Sequence, residues 1–265
     1  MKRACVLVFA GSDPSGGAGI QADIAAISAQ GAHSLSVITV LTAQDNDRVF
    51  SVHPVATDLL RQQTQPLIDK FEIAGVKIGI VGNRANAEAI AELIGMLRLQ
   101  QADLPVVFDP VLASGHGDTL AAEDAIQAIT PLMELATIVT PNLPEAIALS
   151  RGDRRADTQA EILLKQGCRH VLIKGGHGSD AKVINRWFTE GESKSWSWPR
   201  LPGNFHGSGC TLASALAAQL AMGKSMIEAL QLAQAYCQEA LAQAYSIADG
   251  QSIPDRWVSI ARGKV

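Results

Sequence analysis

Short apolar runs alternate along the chain with longer segments whose apolar residues recur at helical spacing. Strands are predicted at residues 6–9, 36–41, 49–55, 76–80, 105–108, 137–139 and 170–174. Helices are predicted at residues 18–30, 57–69, 85–100, 123–135, 158–166, 208–222 and 226–245. Continuous apolar strands such as Val6–Phe9 are typical of a parallel sheet that is covered on both faces. The alternation therefore predicts an α/β fold with a mostly parallel central sheet between two helical layers, an α/β/α sandwich.

The pattern changes once, where residues 183–188 and 193–198 flank a Glu-Gly-Glu turn and predict a β-hairpin. No internal repeat, low-complexity tract or long linker interrupts the rest of the chain. We therefore expect one domain over residues 1–265.

Composition narrows the function classes. With 47% hydrophobic and 18% charged residues, the 265-residue chain has the composition of a globular protein and not of a disordered one. The net charge of −4 and the lack of a basic run argue against nucleic-acid or anionic-membrane partners. No uninterrupted apolar run approaches the ~18 residues of a membrane span. The run at 4–10 ends at Gly11 and predicts a buried first strand rather than a signal peptide.

The four cysteines are scattered and form no CxxC pair, so neither a disulfide framework nor a zinc site is expected. A cytoplasmic protein with reduced thiols fits this usage. Cys5, Cys168 and Cys237 lie in apolar or helical runs, where a small core residue is the simplest interpretation.

Glycine-rich turns follow several predicted strands, and ligands bind at the carboxyl ends of the strands in open α/β sheets. The first turn, at 11–19, leads into a helix, whose free N–H groups can bind an anion. It contains neither a phosphate-binding Gly-Lys-Ser/Thr signature nor a GxGxxG fingerprint. Taken alone, it is also compatible with a plain turn.

Three polar residues follow two later strands. Asp109 ends one strand, where its carboxylate can bind a ligand or metal or form a turn. Asn142 and Glu145 come after another strand, and their spacing lets both reach one hydrated cation such as Mg²⁺. The same spacing is that of a helix-capping pair, which is the interpretation favoured for these two residues alone.

The segment His206-Gly207-Ser208-Gly209-Cys210-Thr211 precedes a long predicted helix. Its glycines and the helix N-terminus predict a pocket of backbone N–H groups for negative charge. The same field favours a thiolate at Cys210, so here a chemical role is preferred over a core role. Lys174, before the Gly175–Gly178 turn, either neutralises phosphate or lies in solvent.

These segments together resemble the hydroxymethylpyrimidine/phosphomethylpyrimidine kinases of thiamine biosynthesis, within the ribokinase-like superfamily. The matching segments, which span nearly the whole chain, are AGSDPSGGAGIQAD at 10–23, SVITVLTAQ at 36–44, VKIGI at 76–80, DPVL at 109–112, TPNLPEA at 140–146, KGGH at 174–177 and HGSGCTLASALAA at 206–218. The first block is the most specific. The last is the next most specific, since most of the superfamily has aspartate where Cys210 stands.

The resemblance implies transfer of the ATP γ-phosphoryl group to 4-amino-5-hydroxymethyl-2-methylpyrimidine and then to its monophosphate. It implies that Cys210 is the catalytic residue, held in the anion hole of Gly207, Ser208 and Gly209, and that it accepts the hydroxyl proton or orients that oxygen. Lys174 is expected close to the transferred phosphate. Family members are commonly homodimers.

The resemblance also assigns the remaining positions of the site. Gln44 is expected to pair with a ring nitrogen and the exocyclic amine, because its amide has one acceptor and two donors. Substrate positions are carried over to Gly11, Asp23, Ile80 and Val111. Asn142 and Glu145 match the motif that organises Mg²⁺ and the nucleotide phosphates, with Asp109 near the same ion.

Three departures from the family pattern stand out. Ile80 replaces a frequent methionine, the 113–116 loop lacks a frequent lysine, and Ser208 replaces the usual threonine. The first two leave open how strongly each phosphorylation step is catalysed.

Three alternatives to the two-step kinase remain at this stage. The first is a kinase of the monophosphate alone. The second is a pyridoxal kinase, against which Gln44 argues because pyridoxal lacks the amine. The third is a non-catalytic pyrimidine sensor, which would need Gln44 but not Cys210 together with Asn142 and Glu145.

Overall fold

The fold is built on one nine-stranded sheet in a computed structural model, which describes residues 2–112, 125–178 and 180–258. The strands are β1 Cys5–Ser12, β2 His33–Gln44, β3 Val49–Pro54, β4 Ile73–Ile78, β5 Val106–Phe108, β6 Ile138–Val139, β7 His170–Ile173, β8 Lys182–Thr189 and β9 Glu192–Pro199. Their spatial order is β3-β2-β1-β4-β5-β6-β7-β8-β9. The six strands from β2 to β7 in this order are parallel, which confirms the predicted mostly parallel sheet.

Antiparallel strands close both edges of the sheet. β3 pairs with the second half of β2, and β8 pairs with β7 and then with β9. The β8–β9 pair is the predicted hairpin, and its ladder runs from Lys182 opposite Pro199 to Thr189 opposite Glu192.

Helices cover both faces of the sheet. They are α1 Gly19–Ala29, α2 Thr57–Lys70, α3 Arg84–Gln100, α4 Ala125–Met133, α5 Leu143–Leu149, α6 Ala156–Lys165, α7 Ser208–Ala221 and α8 Met226–Ala242. Residues of α2 to α6 pack with one set of strand side chains, such as Leu7 and Phe9, and residues of α1, α7 and α8 pack with the alternate set, such as Val6 and Val8. This two-sided burial explains the continuous apolar strands, because neighbouring side chains enter opposite cores.

The differences from the sequence predictions lie at element ends. β1 and β2 extend to Ser12 and Gln44, further than predicted, so both strands reach the cleft described below. α5 is the helix that the capping pair Asn142 and Glu145 indicates, although its seven residues are too few to show helical periodicity. The predicted helix 123–135 is observed at Ala125–Met133, and residues 123–124 lie outside the described residues.

The carboxyl ends of the parallel strands face the N-terminus of α7. The pairing of β1 with β2 shifts register between Ala10 and Gly11, where the glycine-rich turn begins. Within the described part of the chain, no helix has the length and apolar character needed to cross a bilayer.

Candidate active site

A cleft of about 1110 Å³ opens at the carboxyl ends of the parallel strands. The structure brings together on its walls every site residue predicted from the sequence except Asp23, namely Gly11, Gln44, Ile80, Asp109, Val111, Asn142, Glu145, Lys174, Gly207, Ser208, Gly209 and Cys210. These residues come from all along the chain: most of them end or follow strands of the same sheet, and Gly207 to Cys210 lie at the start of α7.

The turn before α7 has a backbone that only glycine adopts easily. Gly207 has φ +75°, and a Cβ on it would lie 2.0 Å from the carbonyl oxygen of Gly17. Gly207 is the N-cap of α7, so the free N–H groups of the first helical turn lie at the cleft wall. These donors and the helix dipole favour negative charge there.

Cys210 lies in the first turn of α7, at the cleft wall. Burial raises the pKa of its thiol, while the positive charge of Lys77 opposes that rise. Asp23 and Asp109 add to the rise. The side chain is therefore a neutral thiol at neutral pH.

The other cysteines differ in their surroundings. Burial raises the pKa values of Cys168 and Cys237 to about 12. Cys168 lies in the core, as expected, but Cys237 also lines the cleft, with its Sγ 3.6 Å from the carbonyl oxygen of Ser208.

Lys174 and Asp109 form a buried ion pair beside the anion hole. Lys174 Nζ lies 2.6 Å from Asp109 Oδ1, which also accepts a 3.0 Å hydrogen bond from Thr140. A Cβ on Gly209 would be 3.2 Å from the same Nζ. Burial works to lower the pKa of Lys174, but the Asp109 and Glu145 carboxylates outweigh it and hold the ammonium charged. A charged ammonium group is thus fixed at the cleft wall.

Asn142 and Glu145 form the capping box of α5. Asn142 Oδ1 accepts from the Glu145 N–H at 2.9 Å, and Glu145 Oε2 accepts from the Asn142 N–H at 2.8 Å. The capping interpretation is therefore confirmed, and the cap also fixes both side chains at the cleft wall. Burial raises the pKa of Glu145 to about 7, with Lys174 opposing the rise and Asp109 adding to it.

The donor set fits a magnesium ion that arrives with phosphate ligands. Asp109 and Glu145 supply hard carboxylate oxygens on one wall of the cleft. Among the described residues, no group of three or more His, Cys, Asp or Glu side chains is arranged to hold a metal. One or two carboxylates with waters and substrate phosphates are the ligands that Mg²⁺ prefers.

The other end of the cleft is built from the ends of β1 and β2. Gln44 ends β2, and Gly11 lies in β1 next to Ile80. The Ile80 Cγ2 atom would be 2.8 Å from a Cβ on Gly11, so glycine lets this apolar side chain pack over the strand. The loop at 113–116, where the family lysine is missing, lies outside the described residues.

Asp23, which the resemblance gives as a substrate position, does not line the cleft. Its side chain is fully buried on α1, with Lys77 Nζ 2.8 Å from one oxygen and Ser214 Oγ 2.6 Å from the other. Lys77 reaches the cleft wall in its place, from the buried strand β4. The sequence carried a signal for it, since a lysine within an apolar strand needs a buried partner.

The Lys77–Asp23 pair gives a stability prediction. Asp23→Asn leaves the Lys77 charge buried and unpaired, so we expect a loss of about 3–5 kcal/mol in the free energy of unfolding. Urea denaturation measures it. Glu72→Gln is the control, since it breaks the exposed pair with Lys2 and should change little. An Asp23→Asn protein as stable as the control would contradict the prediction.

A side-chain hydrogen bond, not predicted from the sequence, joins the first glycine-rich turn to the segment before α7. His206 Nε2 lies 2.8 Å from Asp13 Oδ2, and the Asp13 carboxylate also accepts from the N–H groups of Ser15 and Ala18. Burial would raise the pKa of Asp13, but hydrogen bonds from His206, Gln44 and Ser15 hold it far below its usual range. Asp13 therefore anchors the first turn to the segment that leads into the anion hole.

The sequence profile of the phosphomethylpyrimidine kinase family matches residues 13–255, which include nearly all of this cleft. The chain belongs to that family. One relative in this family is the hydroxymethylpyrimidine/phosphomethylpyrimidine kinase of Salmonella typhimurium. It is 40% identical to this chain over 261 residues, which make up 96% of each chain. The predicted family resemblance is thus confirmed, and the protein is a phosphotransferase.

Solved structures confirm the ribokinase-like fold. The Staphylococcus aureus pyridoxal kinase in complex with AMP-PCP and pyridoxal has a TM-score of 0.86 and 27% identity, covering 98% of this chain and 96% of that one. The Clostridium difficile phosphomethylpyrimidine kinase has a TM-score of 0.74 and 32% identity, and the match covers 90% of this chain and 100% of that one. The phosphomethylpyrimidine kinase family and pyridoxal kinases therefore share this architecture.

Proposed function

We propose that the protein phosphorylates 4-amino-5-hydroxymethyl-2-methylpyrimidine and then its monophosphate, with ATP as donor, in thiamine biosynthesis. The observation that carries this proposal is that Gln44, Cys210 and the anion hole of Gly207–Gly209 share one cleft. Family membership supports the substrate class, and the AMP-PCP complex of the S. aureus pyridoxal kinase supports a nucleoside triphosphate donor.

The substrate ring is recognised at the β1–β2 end of the cleft. The Gln44 amide donates to a ring nitrogen and accepts from the exocyclic amine. Ile80 supplies an apolar wall for the ring, and the Gly11 and Val111 backbones approach its edges. Its hydroxymethyl group then points toward Cys210.

In the transfer step the substrate hydroxyl oxygen forms a bond to the γ-phosphorus while the bond from phosphorus to the β–γ bridging oxygen breaks. ADP leaves with that electron pair, and the hydroxyl proton passes to the phosphate product or to solvent. The neutral Cys210 thiol orients the hydroxyl oxygen. Lys174 and the backbone N–H groups of Gly207–Gly209 neutralise charge on the phosphoryl oxygens, which is the main requirement of this reaction.

Mg²⁺ belongs to the proposal together with the nucleotide. Asp109 and Glu145 would hold the ion, and its charge would neutralise the phosphate oxygens. Asn142 fixes the Glu145 side chain through the capping box, and Lys174 contacts the phosphates. The homodimer, the cytoplasmic location and the single domain over residues 1–265 stay predictions from the sequence.

Pyridoxal kinase is the second candidate, because the S. aureus enzyme has this fold and was solved with pyridoxal. Gln44 favours the aminopyrimidine, since its amide oxygen accepts from an amine that pyridoxal lacks. The full set of proposed phosphate-binding groups in the same cleft as Gln44 disfavours a sensor without activity.

Product analysis tests the proposal. The protein is incubated with ATP and either the pyrimidine alcohol or its monophosphate, with Mg²⁺ or with excess chelator, and products are identified by mass spectrometry. We expect the alcohol to give monophosphate and then diphosphate only when Mg²⁺ is present. Turnover of the monophosphate alone would establish the one-step kinase, and binding of the alcohol without any turnover would establish the sensor.

A further inference from the structure

Arg256 is a buried arginine on the segment that follows α8, just beyond the residues that the family profile matches. Only 4% of its surface is exposed. Its Nε donates to Thr211 Oγ1 at 2.9 Å, and its Nη2 donates to the carbonyl oxygen of Gly17. One guanidinium thus joins the first turn of α7 to the first glycine-rich turn.

The segment that carries Arg256 is itself tied to the site. The Ser252 N–H donates to the Asn204 carbonyl at 2.9 Å, and the His206 N–H donates to the Ser252 carbonyl at 2.9 Å. The Tyr236 hydroxyl on α8 donates to the Arg256 carbonyl at 2.8 Å. These bonds fix the backbone of Arg256 relative to both the anion-hole turn and α8.

The charge of Arg256 is not matched by a carboxylate ion pair within the described residues, because both of its acceptors are neutral oxygens. Arginine stays protonated in proteins, so a positive charge is buried behind the first turn of α7. Burial lowers the pKa of Arg256, and a negative charge on Cys210 would oppose that effect. Thr211, which accepts the hydrogen bond from Arg256 Nε, directly follows Cys210 in the chain, so the buried guanidinium is bonded to the neighbour of this cysteine.

Gly207 shows how tight this arrangement is. A Cβ at that position would lie 2.9 Å from Arg256 Nη2 as well as 2.0 Å from the Gly17 carbonyl oxygen. The guanidinium, the Gly17 carbonyl and the anion-hole turn are therefore packed against one another.

We propose that Arg256 is a positioning residue of the phosphoryl-transfer site, which holds the Gly207 turn against the Gly17 turn and adds an unpaired positive charge behind the anion hole. Arg256 does not line the cleft within the described residues, so it acts through these turns. The inference rests on the proposed function for its effect on turnover, but its effect on the Cys210 thiol is independent of turnover.

Two substitutions separate the charge from the packing. Arg256→Met keeps an unbranched side chain but removes the charge and both donors, whereas Arg256→Lys keeps the charge and can reach one acceptor. We expect Arg256→Met to lower kcat about 10²-fold, with KM for the pyrimidine changed less than about threefold. Arg256→Lys should keep at least about a tenth of the wild-type kcat.

Arg98→Met is the matched control. Arg98, on α3, donates to the Leu104 carbonyl at 3.2 Å, so this variant also removes an arginine–carbonyl bond, but at a site that does not line the cleft. Its kcat should equal that of the wild type. Thermal denaturation of all three variants reports whether each one folds.

The Cys210 thiol gives the second measurement. The rate of alkylation of Cys210 by iodoacetamide is followed by peptide mass spectrometry as a function of pH, without nucleotide. Since a nearby positive charge favours the thiolate, Arg256→Met should shift the midpoint upward by about one pH unit, and Arg98→Met should not shift it. A purely structural role would leave the midpoint unchanged.

The two measurements decide the proposal together. The proposal is supported when Arg256→Met lowers kcat, Arg256→Lys retains much of it, and Arg256→Met also shifts the midpoint of Cys210 alkylation. It is overturned when Arg256→Met keeps kcat within about threefold of wild type, or when the midpoint does not move. If Arg256→Met does not fold, Arg256→Lys is measured in its place: it should lower kcat with KM unchanged and leave the alkylation midpoint where it is, and a kcat equal to that of the wild type would overturn the proposal. If the wild type does not phosphorylate the pyrimidine at all, the alkylation shift alone decides the placement of the charge.

Discussion

Cys210→Ala should lower kcat/KM for the pyrimidine alcohol by about 10²–10³-fold while leaving a measurable enzyme. In the proposed mechanism the thiol orients the attacking oxygen, whereas the backbone anion hole and Lys174, which remain in the variant, neutralise charge. Steady-state kinetics with ATP and the alcohol measure the change. An unchanged kcat/KM would remove Cys210 from the mechanism.

Cys168→Ala is the matched control for this substitution. Cys168 is buried in the core between the sheet and helices α2 to α6, and it does not line the cleft. Its loss should therefore lower stability but leave kcat/KM unchanged. Cys210→Ser adds a second comparison, because a hydroxyl still orients a substrate oxygen. We expect Cys210→Ser to retain more activity than Cys210→Ala.

The pH profile distinguishes an orienting thiol from a thiolate base. Burial raises the pKa of Cys210 above its ordinary value, so the thiolate fraction is small at neutral pH and grows only in the alkaline range. A rate that needs the thiolate would rise with pH through that range. We expect instead that the ratio of the wild-type kcat to that of Cys210→Ala stays constant between about pH 6 and pH 8, because the titration of Glu145 in the same cleft scales both rates alike.

Gly207→Ala should reduce kcat by about 10²–10³-fold, because it displaces the anion-hole donors. Its Cβ would meet the Gly17 carbonyl oxygen at 2.0 Å, and φ of +75° disfavours any other residue there. The turn must shift, and the N–H groups of the first turn of α7 shift with it. Kinetics and thermal denaturation together measure the effect.

Gly223→Ala is the control for backbone strain alone. Gly223 follows α7 with φ of +82°, and a Cβ there would meet no atom within 4 Å. This variant should lose about 1 kcal/mol of stability and no activity. If Gly207→Ala lost no more activity than Gly223→Ala, the anion hole would not depend on the turn as described.

Much of the fold followed from the sequence because both sheet faces are buried. Continuous apolar strands and alanine-rich helices leave a strong local pattern, and the edge hairpin is marked by its Glu-Gly-Glu turn. Several residues that line the cleft were expected there from their place after strands, and the family resemblance supplied others, such as Gln44 and Ile80. Asn142 and Glu145 show the limit of this reasoning, because the same two residues cap α5 and line the cleft.

What the sequence did not reveal depends on contacts between distant segments. Asp23 lies in a motif that matches the family, but its carboxylate pairs with Lys77, 54 residues away. Arg256 and Gly17 are 239 residues apart, and His206 and Asp13 are 193 apart. Such pairs leave no periodic pattern in one chain, so only the folded structure brings them together.

The central claim is that Gln44 and the phosphate-binding groups make one site for an aminopyrimidine alcohol. The most direct test is the ratio of kcat/KM for 4-amino-5-hydroxymethyl-2-methylpyrimidine to that for pyridoxal, measured with the same enzyme, ATP and Mg²⁺. Because the proposal pairs Gln44 with the exocyclic amine, we predict a ratio of at least about 10² in favour of the pyrimidine. A ratio at or below one, with pyridoxal phosphorylated as fast or faster, would contradict it.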